Sequence, residues 1–173
     1  MIIIQNQYII IERIIILFMQ FKNPLIQKLT KQVMTHGKLE LAQKIITQAL
    51  SLSQEILEKE GIKVEQEELF QTAIEKGSPK HGVKSQRFRG SNCQIPVPLT
   101  TKEGQEKAIK FILQTSRNKK GYSMIKCLAY TLVDTYKGQG EVIKLCHESH
   151  KQSEAQKAFA HLTHLLVKKE PTQ

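Results

Sequence analysis

Residues 82–99 read GVKSQRFRGSNCQIPVPL, and this stretch decides the architecture because an otherwise helical pattern stops there. No apolar residue in it recurs at helical spacing. Instead Val83, Ser85 and Arg87 on one flank, and Cys93, Ile95 and Val97 on the other, alternate about Arg89 and Gly90. That pattern predicts a β-hairpin over about residues 83–98. Pro96 and Pro98 stand two apart, so their missing donors point the same way, outward, as suits a two-stranded arm with free edges. Such an arm is marginal in water by itself. A basic hairpin jutting from a helical body therefore makes most sense when something outside holds it, and RNA has the charge to do so.

Helical signals lie on both sides of this arm. Upstream, residues 65–76 place Leu69, Phe70, Ala73 and Ile74 inward and end at Gly77, Ser78 and Pro79. Before them a longer stripe of Leu41, Ala42, Ile45, Ile46, Ala49, Leu52 and Ile56 closes at Gly61. The first helix opens with Asn23 and Pro24 as N-cap and first-turn residue, carries Leu25, Ile26, Leu29 and Val33, and stops at His36 and Gly37. Downstream, Thr100 and Glu103 form a capping box ahead of Ala108, Ile109, Ile112 and Leu113. That helix runs out in the basic loop Arg117, Asn118, Lys119, Lys120, Gly121. Ser123 then caps a fifth helix with Met124, Cys127, Leu128, Thr131, Leu132 and Thr135 on its buried side. The last helix is expected to hold Ala155, Ala158, Phe159 and Leu162. The fold class is thus mainly α: a bundle of about six helices with one projecting β-hairpin arm between helices three and four.

Composition narrows the function. The chain has 173 residues, enough for one domain with a core that needs neither disulfide nor metal. Against 16 acidic residues stand 26 basic ones, a net charge of +10, which points to a polyanion or an anionic surface as partner. Among the cations only Arg13, Arg87, Arg89 and Arg117 are arginines, the rest are lysines, and Ile and Gln are abundant, a bias that suggests an AT-rich genome such as organelles have. Three cysteines without CxxC spacing argue against a secreted disulfide framework. The N-terminal stretch MIIIQNQYIIIERIIILFMQF is interrupted by Gln5, Asn6, Gln7, Glu12 and Arg13, so no membrane span is expected. It also lacks a basic n-region or an Arg-rich presequence pattern, and an uncleaved start is expected. Residues 1–22 read as an apolar extension that packs on a neighbour, 23–166 as a single domain, and 167–173 as a frayed tail.

Enzymatic chemistry is not expected. Asp134 is the only aspartate, and no nucleophile, base and orienting acid stand in a motif. Cys146, His147 and His150, and likewise His161 and His164, match no standard zinc spacing, so no metal or other cofactor is expected.

Three runs, ELFQTAIEKGSPKHGVKSQRFRGSNCQIPVPL, RNKKGYSMIKCLAYTLVD and HKQSEAQKAFAH, follow one another in order. Together they closely resemble the small-subunit ribosomal protein S-seven family in its bacterial and organellar form, over about residues 23–162. The most specific pieces are VKSQRFRG with QIPV, the SM that opens helix five, and HK, EA and KAFAH near the end. The resemblance implies a fold of six helices with a hairpin between the third and fourth, in agreement with the pattern above. It further implies a primary binder of small-subunit rRNA that nucleates the 3′ major domain, or head, and whose hairpin reaches the exit-site region near mRNA and tRNA. By the resemblance, Lys84, Arg87, Arg117, Lys119, His150, Lys151 and Lys157 are rRNA contacts. Lys28, Lys31, Lys38, Arg89, Lys120, Lys126 and Lys144 complete the expected rRNA-binding set, and Arg87, Phe88, Arg89 and Gly90 form the tip near mRNA and tRNA. Phe88 either stacks with the arginines beside it or packs beneath the arm.

Departures from the family pattern carry information as well. Arg89 and Gly90 replace the usual glycine pair at the tip, and Lys144, Leu145 and Cys146 keep one cation where the family has a basic cluster. The Ile-rich extension replaces a polar, basic arm, which suggests a protein neighbour in place of RNA. The expected partners are small-subunit rRNA, neighbouring head ribosomal proteins, mRNA and exit-site tRNA. The expected location is the mitochondrial small subunit, with plastid or bacterial cytoplasm as alternatives. A basic helical DNA-binding or membrane-surface protein outside the ribosome is the competing class.

Overall fold

A computed structural model describes residues 23–88 and 90–162, except the side chain of Phe88. The N-terminal extension, Arg89 and the C-terminal tail lie outside the described residues, and so do the expectations placed on them. Among the described residues six α-helices, one hairpin and a 3-10 turn follow in order. They are α1 (Pro24–Val33), α2 (Leu39–Lys59), α3 (Gln66–Gly77), β1 (His81–Phe88), β2 (Ser91–Pro98), α4 (Thr101–Asn118), α5 (Met124–Tyr136), α6 (Glu141–Ala155) and the turn Lys157–Leu162. The class is as the sequence predicts, with the hairpin between the third and fourth helices. Within α2, between Gln48 and Ala49, the chain divides into two compact units.

In the first unit the start of α1 is fixed locally: Asn23 Oδ1 accepts from Leu25 N–H at 3.1 Å, and Pro24 sits where a helix has no use for an N–H. Ile26, Leu29 and Val33 are buried, and the hydroxyl of buried Thr30 donates to Ile26 O at 2.8 Å. The chain then turns through His36 (φ 53°) and Gly37 (φ 73°), a left-handed pair that no helix continues.

The second helix is where the sequence reading is corrected. Leu41 is 55% exposed, and Ile45, Leu52 and Ile56 are half-buried. The fully inward line is Ala42, Ile46, Ala49, Leu50, Ser53 and Leu57. Its spacing is helical, but it coincides only in part with the most hydrophobic line. Ala42, Ile46 and Ala49 belong to both lines, while Leu50, Ser53 and Leu57 are added to the inward one; Ser53 Oγ–H donates to Leu50 O at 2.7 Å and so costs little to bury.

In the second unit α3, α4, α5 and α6 pack on one another. Leu69, Phe70, Ile74, Ile109, Ile112, Leu128, Leu132 and Val142 are fully buried, each contributing roughly 1.5–3 kcal/mol of transfer free energy. Buried hydroxyls on α5 bond back along the helix, Thr131 to Cys127 O at 2.8 Å and Thr135 to Thr131 O at 2.7 Å. Gly77 allows the close approach: a Cβ there would lie 3.2 Å from Val142 Cγ1 and 3.5 Å from Thr135 Cγ2. The capping box at the start of α4 forms as expected, Glu103 N–H donating to Thr100 Oγ1 at 3.3 Å and Thr100 N–H to Glu103 Oε2 at 3.0 Å. Ser123 is the N-cap of α5 but makes no side-chain cap bond.

The last helix also differs from expectation. Its α-helical part is Glu141–Ala155, turned inward by Val142, Cys146 and Ser153 alone, while Ala158 and Phe159 fall in the 3-10 turn. Phe159 is 38% exposed there and Leu162 is buried. A seam of three inward residues in a polar run gives a weaker periodic signal than the compact KAFAH that follows it.

Candidate nucleic-acid interface

The antiparallel ladder runs from His81 paired with Pro98 to Phe88 paired with Ser91. Just below it Leu99 N–H donates to Lys80 O at 3.0 Å. Donors therefore face β1 at every second residue of β2 counted back from Leu99, namely Val97 and Ile95, and Pro96 and Pro98 occupy the outward parity. The sequence argument for their placement holds. At the tip Gly90 adopts φ 89°, a left-handed conformation open to glycine at no cost. Gly82, Lys84 and Gln86 share a face with Val97, Ile95 and Cys93, and Ile95 anchors that face, fully buried.

The base of the arm is pinned to α6. Lys80 N–H donates to His150 Nε2 at 3.0 Å, and Ser149 Oγ–H donates to His81 O at 3.3 Å. The His81 and His150 rings meet edge to face with centroids 6.1 Å apart. His150, expected from the family resemblance as an RNA contact, thus also has an internal role, holding the ribbon at its root. Burial holds its imidazole below the ordinary value, with His81, His147 and Lys80 pushing the same way and Glu154 opposing. Beside it a cleft of about 620 Å³ opens, lined by Lys80, His81, Pro96, Pro98, His150 and Lys157 among others.

A second group of cations lies on the other side of the ribbon root. Lys84 Nζ is 3.4 Å from Glu103 Oε1, the same carboxylate that caps α4. Glu103 is held below the usual carboxylate value first by the Thr100 backbone bond, then by the Thr100 hydroxyl, with Lys84 adding and burial opposing. Lys107, which the sequence reading did not single out, approaches Gly82 so closely that a Cβ there would displace it. Burial lowers the Lys107 ammonium value, Lys84 and Lys110 add to this, and Glu103 opposes it. Its signal in the sequence was no more than one lysine among many on α4.

A third group is the α4–α5 loop. Lys119 Nζ pairs with Asp134 Oδ2 at 3.1 Å, so its charge is partly answered within the fold. Cys127 Sγ lies 3.5 Å from Lys119 O and 3.6 Å from Tyr122 O, a thiol donor beneath the loop. Arg117, Lys120 and Lys126 are exposed, as are Lys31 and Lys38 in the first unit, where Lys28 is half-buried. On α6 and beyond, Lys144, Lys151 and Lys157 are exposed. Arg87 is exposed on the ribbon, Arg89 lies outside the described residues, and the side chain of Phe88 is likewise not described. Cys146 is buried while its neighbour His147 is exposed, and His150 Nε2 already accepts from Lys80, so these three do not converge.

A hairpin anchored to α6, with exposed cations on β1, in the α4–α5 loop and on α6 of the same compact unit, in a chain of net charge +10, has the build of a polyanion-binding protein. Its kinship is narrower than that class. Residues 5–157 match the family Ribosomal protein S7p/S5e, and the chain belongs to that family. Among similar proteins, one from Chloroflexus aggregans is 34% identical over 142 residues, covering 82% of this chain and 87% of the relative. One from Prochlorococcus marinus is 36% identical over 142 residues, 82% and 88% respectively. One from Wolbachia sp. subsp. Brugia malayi is 31% identical over 146 residues, 83% and 89%. Each of the three is named small ribosomal subunit protein uS7. The family is a structural one, and the chain is not an enzyme.

Proposed function

We propose that this chain is a structural constituent of a small ribosomal subunit, binding rRNA of the 3′ major domain and nucleating assembly of the head. Its ribbon then lines the exit-site region near mRNA and tRNA, and its N-terminal extension meets a neighbouring protein. The observation that carries the reading is the ribbon pinned at its root to α6, with exposed cations on β1, in the α4–α5 loop and on α6 of the same compact unit. A-form RNA hides its base edges, so recognition of this kind reads phosphate layout and shape. Many exposed lysines suit that task, because a phosphate contact positions a protein without reading sequence. The mitochondrion is the proposed location. Supporting it are the Lys- and Ile-rich composition and the stretch Lys144, Leu145, Cys146, which keeps one cation where the family has a basic cluster, as fits a shortened organellar rRNA.

Filter binding of the purified chain to the head fragment of its own rRNA, over a salt series, tests the proposal. The log–log slope should reflect several released cations, and Arg87→Ala should reduce it by about one. Lys119→Ala should reduce it by less, since Asp134 already neutralises part of that charge. Equal affinity for random duplex would overturn shape-specific recognition.

A further inference from the structure

Two tyrosines that the sequence reading passed over stand at the basic α4–α5 loop. Tyr122 is 65% exposed and Tyr130 is 43% exposed, large values for aromatic rings in a folded chain. Their ring centroids are 6.2 Å apart with planes at 64°, so the rings meet edge to face and brace one another while both stay exposed. The loop beneath is held from several sides. Lys119 N–H donates to Thr115 O at 3.2 Å, Lys119 Nζ pairs with Asp134, and the Cys127 thiol lies against the carbonyls of Lys119 and Tyr122. Gly121, at φ 93°, supplies the turn that carries Tyr122. Lys126 is exposed one helical turn before Tyr130 on α5, and exposed Lys120 lies two residues before Tyr122.

We propose that Tyr122 and Tyr130 form a stacking shelf for an unpaired base of single-stranded RNA, with Lys120 and Lys126 taking the flanking phosphates. The inference rests on the RNA-binding reading above and makes it more specific. Exposed, immobilised aromatic faces beside ammonium groups are what a splayed nucleotide needs: a π surface for the base and a cation for the backbone. A paired helix offers no base face to such a shelf. A nucleic acid carries a phosphate beside every base, so a stacked base brings the charge for the neighbouring lysines with it, and charge complementarity favours it.

The full chain should be titrated with an oligoadenylate of about ten nucleotides carrying one 2-aminopurine, and with a duplex of equal length. Wild-type protein should change the 2-aminopurine fluorescence on binding. Replacing both rings, Tyr122→Ala with Tyr130→Ala, should weaken the single strand on the order of tenfold, leaving duplex affinity and the salt slope unchanged. The Tyr122→Phe, Tyr130→Phe pair should bind like wild type, since the ring face and not the hydroxyl carries the stacking. Lys120→Gln with Lys126→Gln should lower the salt slope. If the alanine pair binds the single strand as wild type does, or loses duplex equally, the shelf is overturned while RNA binding stands. If wild-type protein binds neither probe nor its rRNA fragment, both readings fall together.

Discussion

Two side chains show how single groups govern stability here. Thr115 is 1% exposed and, among the described residues, its Oγ1 finds no hydrogen-bond partner. Thr115→Val keeps the shape and removes the orphaned hydroxyl, so it should stabilise the fold by about 1 kcal/mol. A urea midpoint that falls, with unchanged slope, would refute this. His150 carries the pH response of the ribbon root. An unfolded chain takes up a proton near the ordinary histidine value of 6.5, whereas the folded imidazole does so only at lower pH. The contribution is therefore complete above that value and is lost as pH falls through the depressed folded one. Protonation also removes the lone pair that accepts from Lys80 N–H. His150→Gln keeps an acceptor that does not titrate, and should flatten the loss of stability between about pH 7 and about pH 5. Identical profiles for the two proteins would dismiss the idea. Glu103, also depressed, loses its contribution below its ordinary value of 4.5, lower on the scale, so the two responses separate.

At the level of elements, the best-read parts of the sequence are those decided by local chemistry. Thr100 with Glu103, Asn23 with Pro24, and the two prolines of β2 each act through a neighbour a few residues away, and each stands where expected. Thr100→Ala should cost about 1 kcal/mol by leaving the Glu103 N–H at the start of α4 unmet. Faster amide exchange at Glu103 would accompany it, and unchanged exchange there would show that the cap is idle. Burial is harder to read, because it depends on distant packing. The inward line of α2 keeps Ala42, Ile46 and Ala49 of the apolar stripe, but runs on through Leu50, Ser53 and Leu57 and leaves out Leu41, which hydropathy favours. For α6 the seam is three residues wide, so the apolar cluster in the 3-10 turn drew attention away from it.

For the molecule as a unit, net charge dominates. The ion pairs Lys84–Glu103, Lys119–Asp134 and Lys137–Glu60 are partly exposed and add little. Repulsion among the remaining cations should prevail, so the isolated chain should melt at higher temperature as NaCl rises from about 0.01 M to about 0.15 M, where the Debye length falls from ~30 to ~8 Å. A melting point that drops would mean that attractive pairs outweigh repulsion. Of the candidate interface, the sequence made the cations legible and not their company: that Lys84 and Lys119 already have carboxylate partners, and that Tyr122 and Tyr130 meet, are facts of three-dimensional packing. The outer border of β2 has one more effect. With Pro96 and Pro98 there, two of its outward donors are missing, which makes that side a poor template for another copy's strand. The chain can wait for its assembly partner without polymerising through that edge.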